Sequence, residues 1–186
     1  MSKAQTVAIR KLFLWDEVNR LTTDFTSFDK PVKEQRKRFE DFLLDAYIEG
    51  FASALYFLDG ERNISHEMAK EAVDKKYDGE SIFAKFEDYY EKQDAESINR
   101  LVESEFHRVN EQGAYEAAKT FEGVKKRWSA ILDNKTRMTH EILNGTAIGI
   151  DERFYSISGD SALFPGGFAT AEENANCRCM VEYFTE

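Results

Sequence analysis

At 186 residues, 42% hydrophobic and 32% charged, the chain is long enough to bury one core, or a core with a helical extension, and too apolar to be disordered. Thirty-five acidic against 25 basic residues leave a formal net charge of −10, which opposes non-specific nucleic-acid binding, where cations supply most of the affinity. No apolar run approaches the roughly 20 residues that cross a bilayer, and Met1-Ser2-Lys3-Ala4-Gln5 lacks a signal peptide's apolar segment, so the reading is a protein kept in the cytosol or in something assembled there.

Two prolines and ten glycines in the whole chain favour long helices. Val7, Leu12, Trp15, Val18 and Leu21 predict a first helix by their near-3.6 spacing. A polar break at 22–30 follows, with Asp29 placed to cap the next helix and Pro31 in its first turn. That second helix runs to about Leu58 and stops at Gly60; its wide apolar face carries Phe39, Phe42, Leu43, Ala46, Tyr47, Phe51, Ala54 and Leu55. Gly50, in its middle, costs about 1 kcal/mol against alanine and reads as a place where another helix packs closely. Helices are expected at 65–76, 81–91 and 95–121. The last carries an apolar stripe of Ile98, Val102, Phe106, Val109 and Ala117 that includes Glu105, while His107 points away.

Beyond Gly123 the pattern becomes mixed. Alternation of Trp128, Ala130 and Leu132 predicts a strand over 124–132. Asp133 then caps a helix to about Leu143, closed by Asn144-Gly145. A strand near 154–157, a Phe164-Pro165-Gly166-Gly167 turn and a final strand over 177–184 complete the chain. The expected class is α+β: a mainly helical arm over 1–94 and a small mixed module over 95–186. The basic clusters, Lys33 with Arg36-Lys37-Arg38 and Lys125-Lys126-Arg127, read as solvated faces, and His66 and His107 as surface residues.

Asp133, Arg137 and His140 are spaced to share one face of their predicted helix, and Cys177 and Cys179 one face of the last strand with Val181 and Tyr183. If the two elements pack, an imidazole, two thiolates and the Asp133 carboxylate converge, which are zinc ligands in number and type. The plainer alternative makes the cysteines small buried apolar residues and has His140 hydrogen-bond a carboxylate or carbonyl. A lone C-x-C lacks the second cysteine pair usual in structural zinc sequences, so no metal or cofactor is expected. The two thiols sit at the edge of disulfide reach, with Cα atoms about 6.5–7 Å apart along a strand, and are expected reduced. Glu105, in an apolar stripe, needs a cation: Arg108 one turn on, or Arg137 or Arg178. Trp128 reads as a core anchor, and nothing supplies a nucleophile with its base or a phosphate-cradling loop.

Taken in order, Ser104-Glu105-Phe106-His107-Arg108, Trp128-x4-Asp133-x3-Arg137-x2-His140-x4-Gly145, Phe154, Pro165-Gly166 and Asn176-Cys177-Arg178-Cys179 resemble the Mu F-like phage head morphogenesis family of minor head proteins. Tyr77-Asp78-Gly79-Glu80-Ser81 matches a phrase that precedes the motif in many members; Ser104 departs from their usual threonine. The resemblance implies a non-enzymatic virion component at the inner capsid or portal vertex, made in a bacterial host's cytoplasm. Its implied partners are the portal and other head proteins, with weak DNA contact at most, in head assembly or DNA delivery. No membrane, small-molecule substrate or cofactor is implied. The apolar face from Phe39 to Leu58 is expected to dock on the portal or on other head proteins. The rival reading is a hydrolase or nuclease, metal-dependent or not, built from Glu105, Asp133, His140 and the C-x-C. A DNA-contacting ejection protein is a third.

Overall fold

The computed structural model describes residues 15–77 and 79–185; the start of the predicted first helix, 7–14, lies outside them. The chain is α+β and rich in helix. Its first part comprises α1 (15–25), α2 (Val32–Phe57), α3 (His66–Val73), a two-residue hairpin of β1 (Lys76–Tyr77) and β2 (Glu80–Ser81), α4 (Ile82–Glu91) and α5 (Ala95–Ala118). Two caps are local: Ser81 accepts from the Phe83 N–H at 3.2 Å, and Asp94 from that of Ser97 at 3.1 Å. Asp29 does not cap α2, whose first residue follows Pro31 directly; its carboxylate accepts instead from Ser27 Oγ at 2.6 Å. The left-handed residue beyond α2 is Asp59, at φ 51°, and not Gly60.

The wide apolar face of α2 is consumed inside the molecule. Phe39, Phe42, Leu43, Ala46, Tyr47, Phe51 and Ala54 are all buried. Phe39 stacks on Phe86 of α4 at 4.9 Å and meets Phe25 of α1 edge-on at 6.1 Å; Phe42 stacks on Phe106 of α5 at 5.5 Å, and Trp15 meets Phe106 edge-on at 5.6 Å. The expectation that this face is left open for docking is therefore corrected: α4 and α5 complete its burial.

The crossing of α2 and α5 depends on two glycines. A Cβ at Gly50 would lie 1.9 Å from the Asn110 carbonyl oxygen, and one at Gly113 2.3 Å from that of Tyr47. Asn110 Nδ2 also donates to the Ala46 carbonyl at 2.9 Å. The close approach predicted at Gly50 is present; its partner glycine, Gly113, was not foreseen.

The second part centres on a three-stranded antiparallel sheet in which β3 (Val124–Ser129) lies between β4 (Ala147–Gly149) and the C-terminal β7 (Met180–Thr185). Trp128 pairs with Val181 and Lys126 with Tyr183. Between these strands come α6 (Met138–Leu143), the paired β5 (Phe154–Tyr155) and β6 (Ser161–Ala162), and α7 (Ala171–Asn174). In β3 it is Val124, Lys126 and Trp128 that face inward, while Leu132 is 65% exposed. The predicted solvated cluster thus has its middle member in the core. Lys126 Nζ donates to the carbonyls of Ile150 at 2.7 Å and Leu163 at 2.9 Å and lies over the Tyr115 and Phe154 rings. Burial pushes its ammonium down to about 8.

Helix α5 is common to both parts. Its apolar side meets α2, and its polar side faces protein rather than water, so Glu105, His107, Arg108, Asn110 and Glu111 are all buried. His107 is therefore no surface residue; from Glu105 to Glu111 the helix is enclosed on every side, while Glu96 and Arg100 in its first turns stay exposed. Glu111 accepts from the Val181 N–H of β7 at 3.1 Å.

Candidate functional site

Asp133 was expected to start the helix that carries Arg137 and His140. Instead α6 begins at Met138, with Arg137 as its capping residue, and Asp133 lies in the turn before it. There its carboxylate accepts from the Lys135 N–H at 2.9 Å and takes both Arg178 amino groups, at 2.7 and 2.9 Å. That bidentate pairing holds the Asp133 carboxyl well below the usual carboxylate range. The three residues consequently do not share a helix face, and Asp133 is turned to Arg178 rather than to the thiols.

Arg137 points its guanidinium at α7, donating to the carbonyls of Glu173, at 2.6 Å, and Ala175. These acceptors are left unpaired where a helix ends, so Arg137 supplies what α7 lacks. Gly145 takes φ +80° just past the end of α6, returning the chain so that its N–H reaches the Trp128 carbonyl at 2.8 Å. Asn176 likewise occupies the left-handed region, at φ 54°, which asparagine tolerates better than most residues; it turns the chain out of α7 toward the two cysteines.

Those cysteines precede β7 but continue its alternation. Cys177, Cys179, Val181 and Tyr183 are buried and the residues between them are not. His140, one turn into α6, is 1% exposed. The Trp128 ring meets it edge-on at 5.3 Å, and the Phe168 ring stacks on it at 5.6 Å. Its Nδ1 lies 3.5 Å from Cys177 Sγ and 3.4 Å from Cys179 Sγ. The convergence of helix and strand that the spacing suggested is therefore present for the imidazole and both thiols. Within the thiol pair, a hydrogen bond from Cys177 makes Cys179 the group that ionises first despite its burial, with His140 adding to the effect; the same contact pushes Cys177 up.

Behind the imidazole sits Glu173, which sequence reasoning missed. Its carboxylate lies 3.0 Å from His140 Nε2, off the N–H axis, so the contact is chiefly electrostatic. Three hydroxyls converge on the same carboxylate: Thr139 at 2.9 Å, Ser156 at 2.7 Å and Ser158 at 2.6 Å. Burial works against its charge, but these donors and His140 outweigh burial and hold the carboxyl below its ordinary range. The local signal was weak, because Glu173 sits in a four-residue helix among other acidic residues and its donors lie 15 to 34 positions upstream.

Glu105 stands apart from this cluster and is engaged by Arg108. The guanidinium lies 2.7–2.8 Å from the Glu105 carboxylate, 3.0 Å from the Ala72 carbonyl at the end of α3 and 2.9 Å from Gln112. The Pro165-Gly166 turn closes over this pair: at φ +82°, a Cβ on Gly166 would lie 3.0 Å from Arg108 Cα. The Glu-x-x-Arg segment and the Pro-Gly turn are thus one packing unit. Of the two other arginines considered for Glu105, Arg137 is engaged by α7 and Arg178 by Asp133.

A family model described as "Phage Mu protein F like protein" matches residues 60–182. The chain is 44% identical over 72 residues to a protein of Enterococcus faecalis named NAD(+)--arginine ADP-ribosyltransferase EFV, covering 38% of this chain and 15% of that protein. It is 42% identical over 84 residues to Minor head protein GP7 of Bacillus phage SPP1, covering 43% of this chain and 27% of that one. The matched segments are thus a minor part of both relatives. No solved structure matches.

Proposed function

The chain belongs to the Phage Mu protein F like family, and on that premise we propose that it is a minor head protein of a tailed bacteriophage or prophage, without enzymatic activity of its own. It is made in the host cytoplasm, enters the virion at the inner capsid or portal vertex, and acts with the portal in head assembly, DNA delivery or both.

The observation that carries this reading is where the motif's charges go. Glu105 is held by Arg108, Asp133 by Arg178, and Arg137 by two carbonyls of α7. The Glu105–Arg108 pair lies within α5, but Arg108 also reaches the Ala72 carbonyl of α3, so all three arginines join one segment of the chain to another, which is what an architectural module requires. A hydrolytic site using Glu105 and Asp133 with His140 and the C-x-C would need those carboxylates at the thiols; among the described residues the close group is His140, Cys177 and Cys179.

Since the α2 face is spent internally, contact with a head partner falls to exposed apolar side chains elsewhere. Met138 and Ile142 lie one turn apart on α6, and Ile131 and Leu132 precede it; all four are between 47% and 66% exposed. The test is co-sedimentation of the purified chain with assembled portal rings. Retention that is lost in a Leu132→Asp, Met138→Asp double variant of unchanged fold is expected. A wild-type chain that stays in the supernatant overturns the portal role.

A further inference from the structure

We propose that His140 Nδ1, Cys177 Sγ and Cys179 Sγ bind one zinc ion, with Glu173 as the positioning residue behind the histidine and a fourth ligand position opening to a water-sized cavity. The three donor atoms lie within 4.8 Å of one another and belong to buried residues. With Zn–S of about 2.3 Å and Zn–N of about 2.0–2.1 Å, a tetrahedral ion sets sulfur and nitrogen about 3.5 Å apart. The observed separations are 3.5 and 3.4 Å.

Hydrogen bonding alone accounts poorly for this arrangement. With the Cys177 thiol donating to Cys179, a single Nδ1 lone pair or N–H can serve one sulfur only, yet Nδ1 lies equally near both, at 3.5 and 3.4 Å. A cation at the centre uses that lone pair and both sulfurs together. Two thiolates also cancel a dication's charge, so the completed site is neutral where a lone thiolate or imidazolium would be costly.

Glu173 is the second, independent observation. Metal-bound histidines commonly present their other ring nitrogen to a carboxylate, which fixes the tautomer and raises the ligand's basicity. Here Glu173 lies beside Nε2 and is itself held by Thr139, Ser156 and Ser158. Three hydroxyls converging on one buried carboxylate make a rigid support for one imidazole orientation.

A cavity of about 20 Å³ borders the three donors, enough for one water as the fourth ligand. Beyond it a cleft of about 450 Å³, lined by Lys135, Arg137, Asn176 and Arg178 among others, gives an entry path that reaches Cys177. The ion would clasp the approach to β7 onto α6, at the point where the chain's last strand joins its sheet.

The test is independent of any phage activity. The wild-type chain, purified under reducing conditions, is analysed for metal, stripped with chelator and titrated with zinc and with cobalt(II). The expected result is about one zinc per chain and, on cobalt loading, a near-ultraviolet thiolate-to-cobalt band with the intense visible absorption of tetrahedral coordination. Cys177→Ser and Cys179→Ser should each weaken the charge-transfer band, and Glu173→Gln should lower zinc affinity by about 10–100-fold while the fold is kept. If the stripped chain unfolds, recovery of its native circular dichroism with one equivalent of zinc supports the site equally. A folded wild-type chain that takes up neither metal at micromolar concentration overturns the proposal, as does an unfolded stripped chain that zinc fails to restore. Unchanged affinity in Glu173→Gln would overturn that residue's positioning role.

Discussion

Gly50 carries two opposed expectations that a single substitution separates. Helix propensity favours alanine by about 1 kcal/mol. The Asn110 carbonyl, 1.9 Å from where the new Cβ would lie, is main chain and cannot swing aside. Overpacking of this kind costs about 1–3 kcal/mol, so Gly50→Ala should lower stability, with a reduced urea midpoint and an unchanged m-value. Glu105 gives a larger effect: truncation to alanine leaves Arg108 charged and buried without its carboxylate, and chemical denaturation should show a loss of about 3–5 kcal/mol. Lys126 makes a pH prediction. Its folded pKa, about 8, lies below the ordinary 10.5, so between those values the unfolded chain binds more protons than the folded one. Stability from this group therefore rises with pH across that window. The stability of wild type relative to Lys126→Met should increase from pH 8 to 10.5; a flat difference would refute the assignment.

Several elements here are too short to stand alone and depend on side chains from distant segments. Helix α7 has four residues, and its carbonyl end is satisfied by Arg137 from beyond the opposite end of α6. Replacing Arg137 with methionine keeps much of the stem's packing but orphans the carbonyls of Glu173 and Ala175. A loss of about 1–3 kcal/mol in thermal or urea unfolding is expected, with the C-terminal segment showing the earliest hydrogen exchange. The pairing of Asp133 with Arg178 does for the turn before α6 what a helix cap was expected to do. It is partly exposed, so Asp133→Asn should change stability only modestly, with the effect full above about pH 4 and fading progressively as the pH falls below the unfolded carboxyl's range toward the depressed folded one.

For the molecule as a whole, the net charge of −10 is the dominant long-range property. The basic side chains that could offset it locally are largely engaged: Lys126 is buried, Arg108 is paired inside α5, and Arg178 is held by Asp133. Electrophoretic shift at physiological salt should therefore show no DNA binding by the isolated chain. Retention with a steep salt dependence would point instead to the ejection-protein reading.

The order of the major helices, the strand at 124, the closing strand and the close approach at Gly50 were legible because each rests on local periodicity or on a glycine inside a helix. The meeting of His140 with the two cysteines was open in the sequence only as a condition, since alternation placed both thiols on one face but nothing local showed that this segment packs on the helix of His140. What the amino-acid order did not disclose was which polar residues lie inside. His107, Lys126 and Glu173 look like surface residues in any short window, because polarity predicts exposure only where a helix or strand has a free side. Whether α5 has such a side, whether the α2 face stays open, and which carboxylate stands behind His140 are matters of what packs against what. Those answers come from contacts between segments tens of residues apart, and only the tertiary structure contains them.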